Sequence, residues 1–190
     1  MLKNLPAVMA ACLFLLYLGV AHTALALDEV KMTGRAKVIR SAWDNALYNG
    51  LELMCSAGAK SWYVRKLSLR GSVVLDIKKQ NKGPCPFVMS LVFRAAVKDN
   101  ASSPEADAQY SKFAKRTFFF KTPKAARAHM SPRDMRSLGV GHFSLHYAYC
   151  KNRWQHKGGN KLFKDLILKE ALDVKQNAGF WKKVHIATQK

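Results

Sequence analysis

Charge is the feature that any fold of this chain must accommodate: 32 Lys and Arg stand against 12 Asp and Glu, a formal +20 in 190 residues. Nearly all of those side chains have to stay in water, because an unpaired buried charge is too costly to keep. The core must therefore be assembled from the apolar runs between them. Hydrophobic residues make up 49% of the chain, which is enough for one real core and excludes a disordered basic tail. The length suits one domain. A charge this far from zero speaks of partners rather than fold, and the candidates are a polyanion, an anionic membrane or an acidic extracellular glycoprotein.

The first 26 residues read as an address. Lys3 supplies a positive start, Ala7 to Leu18 is an unbroken apolar run, and Ala24-Leu25-Ala26 has the small-x-small pattern of a cleavage site. An uncleaved anchor would need about 20 apolar residues, whereas this run ends in Gly19, His22 and Thr23. The expectation is a secretory signal at 1–26 and a single cationic helical domain at 27–190. Removing the leader takes the charge to +19 and leaves Cys55, Cys85 and Cys150. In an oxidising compartment these allow one disulfide plus one thiol, either free or joining two copies as a homodimer. Asn100-Ala101-Ser102 is a glycosylation sequon in an expected loop.

The charge is concentrated late: residues 27–109 carry 13 basic and 8 acidic side chains, residues 110–190 carry 18 and 4. Apolar spacing in the early part is helical, through Ile39, Trp43, Leu47 and Met54, with a break expected between Gly50 and Ser61. Ser72–Ile77 and Pro86–Val97 read equally as strand or buried helix, separated by the breaker Asn81-Lys82-Gly83-Pro84. Ser103-Pro104-Glu105 signals a helix start leading to Lys121, and Ser131-Pro132-Arg133-Asp134 signals another leading to Trp154. In the second, Met135, Leu138, His142, Leu145 and Tyr149 make a stripe. Asn160 caps a further amphipathic segment over Lys161–Gln176. The fold class expected from these signals is all-α: one bundle of about five helices, with one irregular or strand-like segment near 72–97.

Catalytic and metal chemistry finds little support in the motifs. His142 and His146 stand four apart, but Phe143 occupies the position where a zinc-protease helix needs Glu. No metal site and no cofactor is expected. A secreted nuclease could draw on His142 and His146, with His129 and His185 elsewhere, yet no spacing fixes them as an acid–base pair. Asp134, Asp165, Glu170 and Asp173 are the only carboxylates in the basic half, a thin basis for glycoside hydrolysis. Recognition is the stronger reading. Arg116, Lys121, Lys124, Arg127, Arg133 and Arg136 flank Phe118, Phe119 and Phe120, and cations beside exposed aromatics suit an anionic glycoprotein or membrane surface. Nucleic acid is a less favoured partner. A membrane-active host-defence or toxin protein is the remaining alternative.

These parts together resemble the gastropod, abalone-type sperm acrosomal proteins, the lysins and their fusogenic eighteen-kilodalton relatives. Ser41-Ala42-Trp43-Asp44-Asn45-Ala46-Leu47 is similar to the family's first helix, and Ser61–Ser72 to the aromatic and basic segment after it. Tyr110–Phe120 resembles an aromatic-rich helix. Leu138-Gly139 with Tyr147-Ala148-Tyr149 resembles the tyrosine-rich helix near the C-terminus. Residues 78–100 would be an insertion, and the three cysteines depart from the pattern. The resemblance implies a helical bundle stored in the acrosomal vesicle, with no catalytic residue. It would bind and loosen an egg vitelline envelope or perturb the egg membrane.

Overall fold

Read in steps of two instead of 3.6, two long segments change character. Phe87–Asp99 places Met89, Leu91, Phe93, Ala95 and Val97 on one buried face, and Arg136–Cys150 does the same with Phe143, Leu145, Tyr147 and Tyr149. That alternation is the signature of a strand with one dry face. The computed structural model describes residues 29–101 and 119–188. It contains a helix α1 over 29–48, then β1 (Leu51–Ser56), β2 (Trp62–Leu69), β3 (Val74–Lys79) and β4 (Phe87–Asp99). A short α2 (Pro123–Ala128) precedes β5 (Arg136–Cys150) and β6 (Arg153–Gly159). Helix α3 follows over 161–171 around a π turn at Lys164–Leu168, and α4 (Ala178–Lys183) comes last.

The strands form one curled antiparallel sheet in the order β1-β2-β4-β5-β6. β2 pairs with residues 95–99 of β4 and β3 with residues 87–92, so β2 and β3 share one edge of that long strand. The break between them is held from α1: Arg40 Nε donates to the Val73 carbonyl at 3.0 Å, and Asp44 Oδ1 accepts from Val73 N–H at 3.2 Å.

The all-α bundle is thus overturned; the described residues are mostly antiparallel β. Helix α1 does form, with Met32, Ala36, Ile39, Trp43 and Leu47 buried, but it stops where Gly50 takes φ +79°, a left-handed conformation that glycine adopts without a Cβ penalty. Leu51, Leu53 and Cys55 then alternate inward as β1. The helix expected from Ser131 to Trp154 is absent. Asp134 Oδ2 accepts from Ser131 N–H at 3.1 Å, and Asp134 N–H donates to the Ser131 carbonyl at 3.0 Å, so the capping chemistry closes a single turn. Gly139 and Gly141, each costing about 1 kcal/mol in a helix interior, and the aromatic alternation beyond them then favour β5. Thr122-Pro123, read as an interruption, starts α2, with Thr122 Oγ1 accepting from Ala125 N–H. Over Lys161–Gln176 the chain is helical as far as Ala171, and Asn160 Oδ1 caps it by accepting from Phe163 N–H at 3.0 Å. The leader at 1–26 and most of the segment Glu105–Lys121, including Arg116 and Phe118, lie outside the described residues.

The core fills the inside of the curl. Trp43 stacks on Phe93 with ring centroids 5.7 Å apart and meets Phe163, Phe180 and Trp181 at 5.0–6.3 Å. Its Nε1 donates to Tyr147 Oη at 3.4 Å, and that hydroxyl donates to the Val184 carbonyl at 3.0 Å. A smaller cluster of Met54, Val64, Phe120 and Ala126 packs α2 against the other face of the sheet at β1 and β2. A disulfide joins Cys85, at the foot of β4, to Cys150, at the end of β5, across 65 residues of sequence. Closing a loop of that size removes enough unfolded-state entropy to stabilise by about 4 kcal/mol in the chain-entropy description. Replacing both cysteines by Ser should lower urea-denaturation stability by about 2–4 kcal/mol with the sheet's far-UV circular dichroism retained.

Candidate functional site: a cationic outer sheet face

With the inner face of the sheet committed to the core, the outer face of β3, β4 and β5 is where exposed side chains gather. Cross-strand register places Val74 beside Val92, Val92 beside Ser144, Arg94 beside His142, and Ala96 beside Val140. Val74, Val92 and Val140 are 57%, 43% and 51% exposed, an unusual number of β-branched apolar groups to leave in water. Between and around them lie Lys78, Arg94, Lys98, His142 and His146, all exposed. Among the described residues the one carboxylate on this face is Asp76, which pairs with Lys78 at 3.2 Å. Ser90 Oγ lies 3.1 Å from His146 Nδ1.

The residues singled out from the sequence are distributed differently from the expectation. Lys121, Lys124, Arg127 and Arg133 are exposed before, in and after α2, the helix that packs on the outer side of the sheet. Arg136 is opposite Asp99 in the β4–β5 ladder and lies at an inner pocket. Phe119 and Phe120 are both packed away: Phe119 lies against the inner core on Tyr63 with centroids 5.5 Å apart, while Phe120 is 8% exposed, buried with α2 on the outer face, and stacks on His129. His142 and His146 share a face, but four residues along a strand span roughly 13 Å. They cannot meet at one phosphate or one metal ion. Among the described residues no group of three or more His, Cys, Asp or Glu is placed to hold a metal.

Asn100 has become a strut. It is wholly buried; its Oδ1 accepts from Val64 N–H at 2.8 Å, and its Nδ2 donates to the carbonyls of Ala126 and His129. A glycan on that nitrogen would replace one of its two donor hydrogens and would need space that a side chain 0% exposed does not have, so the folded domain has no place for one. Nothing in the sequon foretold this role; only the packing of α2 over β2 shows it.

One inner end of the sheet is polar, and sequence reasoning missed it. Arg65 and Asp99, 6% and 5% exposed, form an ion pair at 3.0 Å. Arg65 also donates to the Leu166 carbonyl inside the π turn, and its guanidinium lies 5.1 Å from the Tyr63 ring centroid. Tyr63 Oη and Arg65 Nε are buried without a partner among the described residues. These groups, with Phe119, Arg136 and Glu170, line a pocket of about 350 Å³. Burial raises the Glu170 carboxyl above its usual range. Nearby Cys55 is 0% exposed, and burial pushes its thiol up to about 12, so it is neither a nucleophile nor an available partner for a disulfide between copies. The alternation of Tyr63, Arg65 and Leu67 in β2 was the available signal.

A scan of protein-family models and searches of curated proteins and solved structures return no match to this chain.

Two outcomes follow from the buried groups. Asp99→Ala leaves Arg65 charged and uncompensated, and should cost about 3–5 kcal/mol in chemical denaturation; a loss below about 1 kcal/mol would mean the pair is solvated. His156, pushed down to about 4 by burial, binds a proton in the unfolded chain before it does in the native one. Its contribution to stability is therefore present above pH 6.5 and is lost as pH falls toward 4. A melting temperature that declines over that interval in the wild type, and less so in His156→Phe, is the expected result.

Proposed function

We propose that this protein is a non-enzymatic, secreted recognition protein that binds an acidic macromolecular surface, such as a glycoprotein coat, through the outer face of its sheet. The single observation that carries the reading is the side-chain census of that face: Lys78, Arg94, Lys98, His142 and His146 surround exposed valines with one carboxylate, Asp76, among the described residues. Cations draw an acidic partner in from a distance, and the flat Val74, Val92 and Val140 patch supplies apolar contact once it arrives. The Cys85–Cys150 disulfide is in keeping with an oxidising compartment.

A glycoprotein surface is preferred to a lipid one for a geometric reason. Membrane-interface binding favours long aromatic or Leu side chains on an amphipathic helix. Phe119 packs on the inner core and Phe120 is buried beneath α2, so neither is presented to a membrane. The egg coat implied by the sperm-protein resemblance is one acidic glycoprotein of this kind. That resemblance carried a helical bundle with it, and the β-sheet leaves the gamete setting resting on local sequence likeness alone.

The double substitution Arg94→Glu/Lys98→Glu tests the reading. Binding to an immobilised polysialylated glycoprotein at low ionic strength should weaken by about tenfold or more, equivalent to about 1.4 kcal/mol, and wild-type binding should weaken as salt rises. Unchanged affinity in the double variant would remove the sheet face from the proposal.

A further inference from the structure

A second recognition element lies at the edge of the sheet, on the other side of β5 from the cationic face. β6 is the last strand in the order, paired to β5 alone, and along its other edge no backbone hydrogen bond is made among the described residues. An open strand edge is a template for another chain. The β6 edge borders a groove of about 930 Å³ whose opposite wall is the C-terminal segment from Lys182 to Thr188. The floor is apolar, with Trp154, Leu172 and Ile186. The rim carries Arg153, Lys182 and His185, all exposed, and no carboxylate lines it among the described residues.

His185 adds a separate observation. It holds φ +59°, the left-handed region in which glycine is cheaper, at the end of α4, where its N–H donates to the Lys182 carbonyl at 3.3 Å and the next N–H, of Ile186, donates to the Trp181 carbonyl at 2.8 Å. Helices commonly close this way with Gly at that position. A histidine there costs stability and places an imidazole on the groove's rim, and strain retained at a surface groove suits a binding role.

We propose that this groove is a docking site for an extended acidic peptide segment. The segment would add as a strand to the free edge of β6, its carboxylates meeting Arg153 and Lys182 and its alternate apolar side chains lying over Trp154 and Ile186. Main-chain hydrogen bonds would supply affinity and the alternation of charge and bulk would supply selectivity. The site uses none of the outer-face residues, so it stands or falls apart from the proposal made for them.

The test uses the whole folded protein and a synthetic blocked octapeptide of alternating Glu and Val, with binding read by Trp fluorescence and calorimetry. The Glu/Val peptide should bind and its Lys/Val counterpart should not. Arg153→Glu/Lys182→Glu should weaken binding at least tenfold. A Glu/Val peptide N-methylated at alternate residues, which keeps every charge but cannot complete the ladder, should lose binding to the same degree. His185→Gly should weaken it severalfold while leaving the melting temperature unchanged or higher, which separates a binding role from a structural one. Arg94→Glu/Lys98→Glu should have no effect. Equal binding of the methylated and unmethylated peptides, or full affinity in Arg153→Glu/Lys182→Glu, would overturn the proposal.

Discussion

The placement of Trp43 is the constraint on which the rest of the architecture depends. One side chain on α1 touches the sheet through Phe93, the two C-terminal helices through Phe163, Phe180 and Trp181, and the Tyr147 hydroxyl through its indole N–H. Because Tyr147 in turn donates to the Val184 carbonyl, the N-terminal helix, the middle of β5 and the end of the chain are tied at one point. Large buried aromatics contribute more per residue than any other core group. α1 also pins the β2–β3 break with Arg40 and Asp44. The curl of the sheet around this helix leaves the convex side of β3, β4 and β5 exposed among the described residues, while α2 covers that side at β1 and β2.

That division of labour resolves the problem set by the charge. A protein with so many Lys and Arg cannot bury more than a few of them, and this one buries Arg65, with Asp99 as its partner. Lys78, Arg94, Lys98, His142 and His146 on β3, β4 and β5, and Lys124 and Arg127 on α2, are exposed on the outer side. Like charges on that surface repel one another and lower stability. The aromatic core and the Cys85–Cys150 disulfide offset the repulsion. A surface of this kind gains when an acidic partner neutralises it, which links the stability of the fold to its proposed use.

Much of α1 was legible in the sequence, because Ile39, Trp43 and Leu47 repeat at a helical period and Gly50 supplies its stop. The beginning of α3 was legible as well, through the Asn160 cap. The sheet was not. In β5, Leu138, His142, Leu145 and Tyr149 satisfy a helical stripe while Phe143, Leu145, Tyr147 and Tyr149 satisfy a strand. The exposed His142 and the half-exposed Leu138 show which pattern the structure uses. A strong capping signal at Ser131–Asp134 tipped the balance the wrong way. Such a signal reports that one turn is favourable, and says nothing about the residues that follow. Of the candidate surface, the exposed cations near α2 could be anticipated from composition. The packing of Phe119 on the inner core, of Phe120 under α2, and the burial of Asn100 depend on long-range contacts that no local window contains.

The account's central claim is that the outer face of β3, β4 and β5 is the contact surface for an acidic partner. His142 and His146 report on it directly, since both imidazoles are exposed there. Their rates of carbethoxylation can be followed by mass spectrometry, with and without a saturating polysialylated glycoprotein. The claim requires both histidines to be protected when the partner is bound. Unchanged rates at both, in a sample where the partner is demonstrably saturated, would contradict it.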